Sequence, residues 1–262
     1  MYAKGPFLGL ERRMLLVENV GKILEVARVA SDTYKMVVES DLASQMEPGQ
    51  FVNIKVDGCF LRRPISISSI DENRYTMIIK VVGEGTEKLV KMACGEALNV
   101  VGPCGHGFTI HEELDEVLIL GGGVGVPPLY EVAKRYRRLG KKVYVALGFG
   151  SSDQVFYVEE FERLGCEVKV ASMDGSFGIK GTVLDAVAQA GWSCDFVYSC
   201  GPMPMLKAID QHYQKGYLSF EARMACGIGA CMGCVCKDRK DHDIYYRICK
   251  EGPVFEIGKV EF

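Results

Sequence analysis

The sequence predicts a multidomain chain: an antiparallel β-barrel, then an α/β doubly wound parallel sheet, then a small cysteine-rich C-terminal domain. Three observations predict it. Up to about residue 101 the chain reads as short β-branched strands divided by turns. From residue 117 apolar strands alternate with helices, the pattern of a parallel sheet covered on both faces. Near the end, Cys226, Cys231, Cys234 and Cys249 form a C-x4-C-x2-C array with one distant further cysteine. The boundaries are expected at 1–110, 111–215 and 216–262.

Composition narrows the function. With 48% hydrophobic residues among 262, the chain can bury substantial cores, and a net charge of −3 argues against a strongly basic nucleic-acid surface. Short basic runs at 134–138 and 237–240 read as solvated faces. Residues 1–16 carry Lys4, Glu11, Arg12 and Arg13, which is not the apolar core of a secretory leader, so eleven cysteines imply a reducing, cytoplasmic setting. The richest apolar run, 117–129, is broken by four glycines and two prolines and falls short of the roughly 20 residues that span a bilayer. No membrane span is expected.

In the first unit, strands are expected at 26–29, 34–38, 51–56, 65–69, 75–82 and 97–101, with turns at Pro48, Gly49 and 71–73. Two places suit a diphosphate. Leu61-Arg62-Arg63-Pro64-Ile65-Ser66 offers guanidinium forks where a strand begins. Gly83-Glu84-Gly85-Thr86 leads into a helix over 87–92 with Thr86 as its cap, and a helix start offers free N–H groups. Taken singly, a salt bridge for Arg63 and a plain capped turn for Gly85 and Thr86 are the simpler readings.

The second unit opens with the apolar strand 117–120 and continues Gly121-Gly122-Gly123-Val124-Gly125-Val126-Pro127-Pro128 into a helix whose apolar face is Leu129, Val132, Ala133, Tyr136 and Leu139. Strand, glycine turn and helix make a nucleotide cradle, although Pro128 stands where the third glycine of a dinucleotide fingerprint would be. Strands at 142–147, 167–171 and 196–199 then alternate with helices at 154–164, 182–190 and 203–214. The last strand ends in Cys200-Gly201-Pro202, and ligands of open α/β sheets bind beyond the carboxyl ends of strands, so Cys200 and Gly201 should border a nicotinamide. The stretch after the second strand, 148–153, offers no cation for a 2′-phosphate and adds Asp153, which favours NAD.

The cysteine spacing is that of a plant-type two-iron, two-sulfur site. Zinc ribbons favour two C-x2-C knuckles and this array has one; Cys236, a fifth cysteine in the loop, reads as a core thiol. The four histidines, His106, His111, His212 and His242, have no metal-like spacing and read as surface or turn residues.

The R-P-x-S strand, the G-x-G-T turn, the Gly102-Pro103-Cys104-Gly105-His106-Gly107-Phe108 stretch and the C-G-P turn together resemble the ferredoxin–NADP reductase superfamily. The resemblance implies FAD, with Arg63, Gly85 and Thr86 at its diphosphate and Arg62 their neighbour. It also puts Pro64 and Ser66 beside the isoalloxazine and Ile79, Lys80 and Val81 along the cofactor, with Gly123, Gly125 and Pro128 near the pyridine nucleotide. With Glu221-Ala222-Arg223-Met224-Ala225-Cys226-Gly227 onward, the chain is similar to the electron transfer subunits of B-type, NAD-linked dihydroorotate dehydrogenases. That implies an FMN-containing catalytic partner, a hetero-oligomer such as a heterotetramer, and a path from that FMN through a [2Fe–2S] cluster and FAD to NAD in pyrimidine biosynthesis. The alternatives are an NADH-dependent reductase subunit of a ferredoxin-, oxygenase- or sulfhydrogenase-type system and, from another class, a zinc-stabilised binding module. Hydride passes between nicotinamide and flavin without a side-chain acid or base, so no catalytic residue is expected.

Overall fold

The computed structural model of the chain describes residues 17–262; the leader reading over 1–16 lies outside the described residues. Six antiparallel strands close into a barrel in the order β1-β2-β5-β4-β3-β6. They are β1 (Val17–Ala30), β2 (Thr33–Glu39), β3 (Phe51–Ile54), β4 (Arg63–Ile70), β5 (Arg74–Lys80) and β6 (Ala97–Cys104). β1 is far longer than the expected 26–29, because its first half pairs with β6 and its second half with β2. Alternation sends Ile23, Met36, Ile67, Met77, Ile79 and Val100 into a dry interior.

Between β5 and β6 lies helix α1 (Glu84–Val90), which corrects the expected start at residue 87. Thr86 is therefore inside the first turn and not the cap. Its Oγ1 accepts from the N–H groups of Val82 (3.0 Å) and Gly83 (3.2 Å) and donates to Gly83 O. The side chain still stabilises the helix entry, but from within.

The second sheet runs β10-β9-β8-β7-β11-β12-β15. Its parallel members are β7 (Glu116–Gly122), β8 (Lys142–Phe149), β9 (Glu167–Ser172), β10 (Ile179–Lys180), β11 (Phe196–Cys200) and β12 (Lys215–Ser219); β15 (Val254–Glu256) joins β12 antiparallel. Helices α2 (Pro127–Arg138), α3 (Val158–Arg163), α4 (Val183–Ala190) and α5 (Met203–His212) cover it. α3 is shorter than the expected 154–164 because Tyr157 takes a left-handed conformation at φ 68°, which no continuous right-handed helix accommodates. Thr182 caps α4 reciprocally with Asp185, as a helix start at 182 requires. Between β12 and β15 the chain leaves the sheet, forms the cysteine loop and the hairpin β13 (Val235–Lys237) with β14 (Tyr245–Arg247), and returns.

Barrel and sheet are locked together by polar groups. Glu131 on α2, only 1% exposed, accepts from the Ile70 N–H at 3.0 Å and pairs with Lys134 and Arg135. Lys134 in turn donates to Ser69 Oγ and to Ile70 O at 2.8 Å. A buried carboxylate persists only when paired in this way. The basic run 134–138, expected as a solvated face, thus contributes Lys134 to this interface. Ser68 Oγ adds a 2.9 Å bond to the Tyr157 hydroxyl, which gives the helix-breaking Tyr157 a partner on the barrel.

Candidate functional site

On the barrel, Arg63 and Gly85 are brought together as expected. A Cβ on Gly85 would fall 2.2 Å from Arg63 Nε, so only glycine lets the guanidinium lie across the α1 turn. Arg63 Nη1 is also steered by a bond to Leu61 O. The result is a cationic notch over a glycine cradle, the chemistry of a diphosphate site. Arg62 is not drawn there: it bonds Asn99 Oδ1 at 2.7 Å and Glu18 at 2.8 Å. Pro64 and Ser66 sit on β4 opposite Asn53 and Phe51 of β3, while Ile65 and Ile67 on the same strand pack against the barrel interior. The same alternation buries Ile79 inside the barrel. Of the expected 79–81 stretch, Lys80 reaches the nucleotide side, paired with Asp32 at 3.3 Å, and the Val81 N–H is used by Asp32 O.

A cleft of about 630 Å³ opens beyond the carboxyl ends of β7, β8 and β11, where a doubly wound sheet binds nucleotides. Gly123 and Gly201 line it, together with Lys80, Gly150 and Thr182. Gly125, Pro128 and Cys200 are buried and do not line it. Gly125 is packed so closely on the end of β11 that a Cβ would come within 2.4 Å of the Cys200 carbonyl. Pro127 and Pro128 occupy the first turn of α2, where no intrahelical donor is lost. With the starts of α4 and α5 on the same rim, the cleft suits an anion. Burial pushes the Cys200 thiol pKa well up, so the thiol stays neutral. Sequence reasoning missed Glu221 as a cleft residue. It is exposed as a residue, but its carboxyl stands among protein atoms whose desolvation raises its pKa.

Cys226, Cys231 and Cys234 lie on the loop before β13 and Cys249 follows β14, and the four form two pairs. The Cys231 N–H points at Cys226 Sγ (3.3 Å), and the Cys249 N–H at Cys234 Sγ (3.4 Å); Gly229 N–H also donates to Cys249 Sγ at 3.2 Å. Gly227 and Gly229 take positive φ to make this loop, at 65° and 78°. Burial works to raise the Cys226 pKa, but the N–H groups of Ile228, Cys231 and Ala230 overrule it and bring the thiol to about 6. Cys249 is pushed up to about 12, by burial first and then by Cys234 and Cys226. Four thiolates drawn to one small volume repel one another, and a cationic iron–sulfur core is a group that offsets such repulsion. Among the described residues no three His, Cys, Asp or Glu side chains form a compact single-ion set. Cys236 stands apart, its thiol donating to Tyr246 O at 3.7 Å and raised to about 11 by burial.

The loop rests against the barrel. Asn53 Nδ2 on β3 donates to Gly227 O at 2.9 Å, and the His106 ring Nδ1 meets Lys250 O at 2.7 Å. Neither contact was read from the sequence, where His106 reads as a surface or turn residue. Arg247, held by Glu251, donates to Gly229 O at 2.6 Å from the other side.

Comparison with known proteins agrees with this arrangement. Residues 221–261 match the iron–sulfur cluster binding domain of dihydroorotate dehydrogenase B, and residues 119–211 match the oxidoreductase NAD-binding domain. The chain is 47% identical to the dihydroorotate dehydrogenase B (NAD(+)) electron transfer subunit of Fusobacterium nucleatum over 250 residues, 90% of this chain and 96% of that one. The Bacillus mycoides subunit of the same name is 45% identical, over 91% and 96% of the two chains. Among solved structures, an NADH-dependent reduced ferredoxin–NADP oxidoreductase studied for flavin-based electron bifurcation superimposes with a TM-score of 0.82 at 29% identity, covering 92% of this chain and 89% of that one. With barrel, nucleotide cleft and cysteine loop in that order, the chain belongs to the electron transfer subunits of NAD-linked dihydroorotate dehydrogenase B.

Proposed function

We propose that this chain carries electrons between NAD and the catalytic subunit of a dihydroorotate-oxidising complex, with FAD on the barrel, NAD in the cleft and a [2Fe–2S] cluster on Cys226, Cys231, Cys234 and Cys249. The observation that carries this reading is that two thiol pairs, drawn from the loop before β13 and from Cys249 after β14, lie in a segment seated through Gly227 against β3, the strand paired with β4. When bound, the flavin supplies exchange between a hydride and single electrons. The protein's residues orient: the glycine turn after β7 and the Cys200-Gly201 turn shape the nucleotide cleft, and Arg63 over Gly85 holds the flavin diphosphate. Gly150, Ser151, Ser152 and Asp153 follow β8 without a cation, in keeping with NAD. The functional division into 1–110, 111–215 and 216–262 follows these three sites, the last unit lending β15 to the sheet of the second.

Arg63→Ala is expected to weaken FAD retention roughly 10- to 100-fold, since a charge-assisted bond to a phosphate contributes about 1.5–3 kcal/mol. The flavin-to-protein ratio after exhaustive dialysis measures this; an unchanged ratio would move the diphosphate elsewhere.

Among the described residues there is no second barrel of about 250 residues to oxidise dihydroorotate. That chemistry is assigned to an FMN-bearing partner in a hetero-oligomer, in the cytoplasm. No described helix is long and apolar enough to cross a membrane. The test is anaerobic. NADH should bleach the flavin of the isolated holo-chain while dihydroorotate leaves it oxidised, and adding the partner should create dihydroorotate-dependent NAD reduction. Rapid bleaching by dihydroorotate without the partner would overturn the assignment.

A further inference from the structure

The outward face of β3 is where flavin barrel and cysteine loop meet. Val52 and Ile54 point into the barrel core, and Phe51 and Asn53 point out. Phe51 shares a hydrophobic cluster with Cys234, Ile248 and Cys249. Asn53 is 2% exposed, and its amide donates to Gly227 O at 2.9 Å and approaches Cys104 Sγ at 3.6 Å. A buried amide is tolerated when its hydrogen bonds are made, so this one is committed to the loop. The fit is close: a Cβ on Gly227 would fall 2.3 Å from Asn53 Nδ2. Gly227 follows Cys226 directly, and Asn53 is directly opposite Pro64 on β4. One side chain therefore joins the strand pair that carries the proposed flavin site to the backbone next to a proposed cluster ligand.

We propose that Asn53 is a positioning residue that seats the Cys226-Gly227 backbone against β3 and thereby sets the coupling between flavin and cluster. The proposal rests on the cofactor assignment above. A second contact supports the same seating: the His106 ring meets Lys250 O, one residue past Cys249. His106 matters less, because its backbone N–H also bonds Gly252 O at 2.6 Å and would remain after the ring is removed. Asn53 has no such backbone substitute towards Gly227.

The test compares Asn53→Leu, which keeps the branched heavy-atom outline and removes the donor, with Asn53→Gln, which keeps a donor on a longer arm. In holo-protein mixed with NADH under anaerobic stopped flow, flavin reduction should stay within about twofold of the parent, while cluster reduction in Asn53→Leu slows roughly tenfold. The reduced cluster should show broadened or shifted electron paramagnetic resonance features, and Asn53→Gln should recover part of both effects. Amide exchange over residues 226–231 should quicken about tenfold in Asn53→Leu, as losing one buried hydrogen bond implies. That exchange can be read in apo-protein too, so a variant that fails to hold iron still decides the tether. Parent-like exchange, spectrum and cluster reduction in Asn53→Leu would overturn the proposal. A parent protein without iron or FAD would overturn the cofactor assignment instead, leaving the tether to the exchange measurement.

Discussion

Cys234→Ser is expected to abolish dihydroorotate-linked NAD reduction in the complex, while NADH still reduces the flavin of the same variant. Cys234 is 3% exposed and its sulfur receives the Cys249 N–H, so it sits at the centre of one thiol pair. Losing even an outer-shell partner of a metal site costs about 10- to 100-fold in affinity or activity, and a ligand itself should cost at least that. Cys236→Ser is the control within the same loop. Its thiol serves only the Tyr246 carbonyl, so iron content should match the parent. Iron and sulfide analysis of the two variants checks the assignment, and retained iron in Cys234→Ser with loss in Cys236→Ser would reverse it.

Gly125→Ala should be the most damaging small substitution in the nucleotide domain. The added methyl would sit 2.4 Å from both the carbonyl carbon and oxygen of Cys200 and 2.5 Å from the Gly201 nitrogen. These are backbone atoms in a packed sheet and cannot swing away as a side-chain tip would. The turn after β7 must separate from the end of β11, at a cost of about 1–3 kcal/mol in stability. Misplacing a bound reactant by about 1 Å can lose roughly 100-fold in rate, which is the expected fall in flavin reduction by NADH. Gly123→Ala offers a graded comparison: nothing lies within 4 Å of its Cβ, so only the strain of φ +52°, about 1–2 kcal/mol, should appear. Single-turnover rates and thermal unfolding of the two variants separate the effects, and equal rates would sink the steric argument.

The features legible in the sequence were those written in local chemistry. The glycine turn after an apolar strand, the cysteine spacing and the C-G-P turn each encode a shape within a few residues, and the structure gathers them at strand ends and around the β13–β14 hairpin. What stayed hidden depends on distant pairing. The first half of β1 contains Glu18, Asn19, Gly21 and Lys22, which carry little strand propensity; it is a strand because β6 lies beside it. β15 has three residues and is recruited by the edge of β12. The α1 start was misjudged because a glycine at the cap, Gly83, and another in the first turn, Gly85, mask the helical pattern ahead of Thr86. Asn53 gave no signal at all, since its partner Gly227 is 174 residues away. Arg62 and Arg63 look alike in sequence, yet only Arg63 meets Gly85, because Glu18 and Asn99 claim its neighbour.

The return of the chain as β15 bears on how the protein matures. β12 and β15 are adjacent antiparallel strands, so the ends of the segment 220–253 are held one strand spacing apart, about 5 Å, whatever the loop contains. Closing a loop of that size carries an entropy penalty that grows with the logarithm of its length. Here the pairing of β12 with β15 meets that penalty. Small metal domains that lack such a frame are unfolded until loaded. In this chain the frame belongs to the sheet, so the backbone ends of the cysteine segment are set by the pairing of β12 with β15 and not by its thiols.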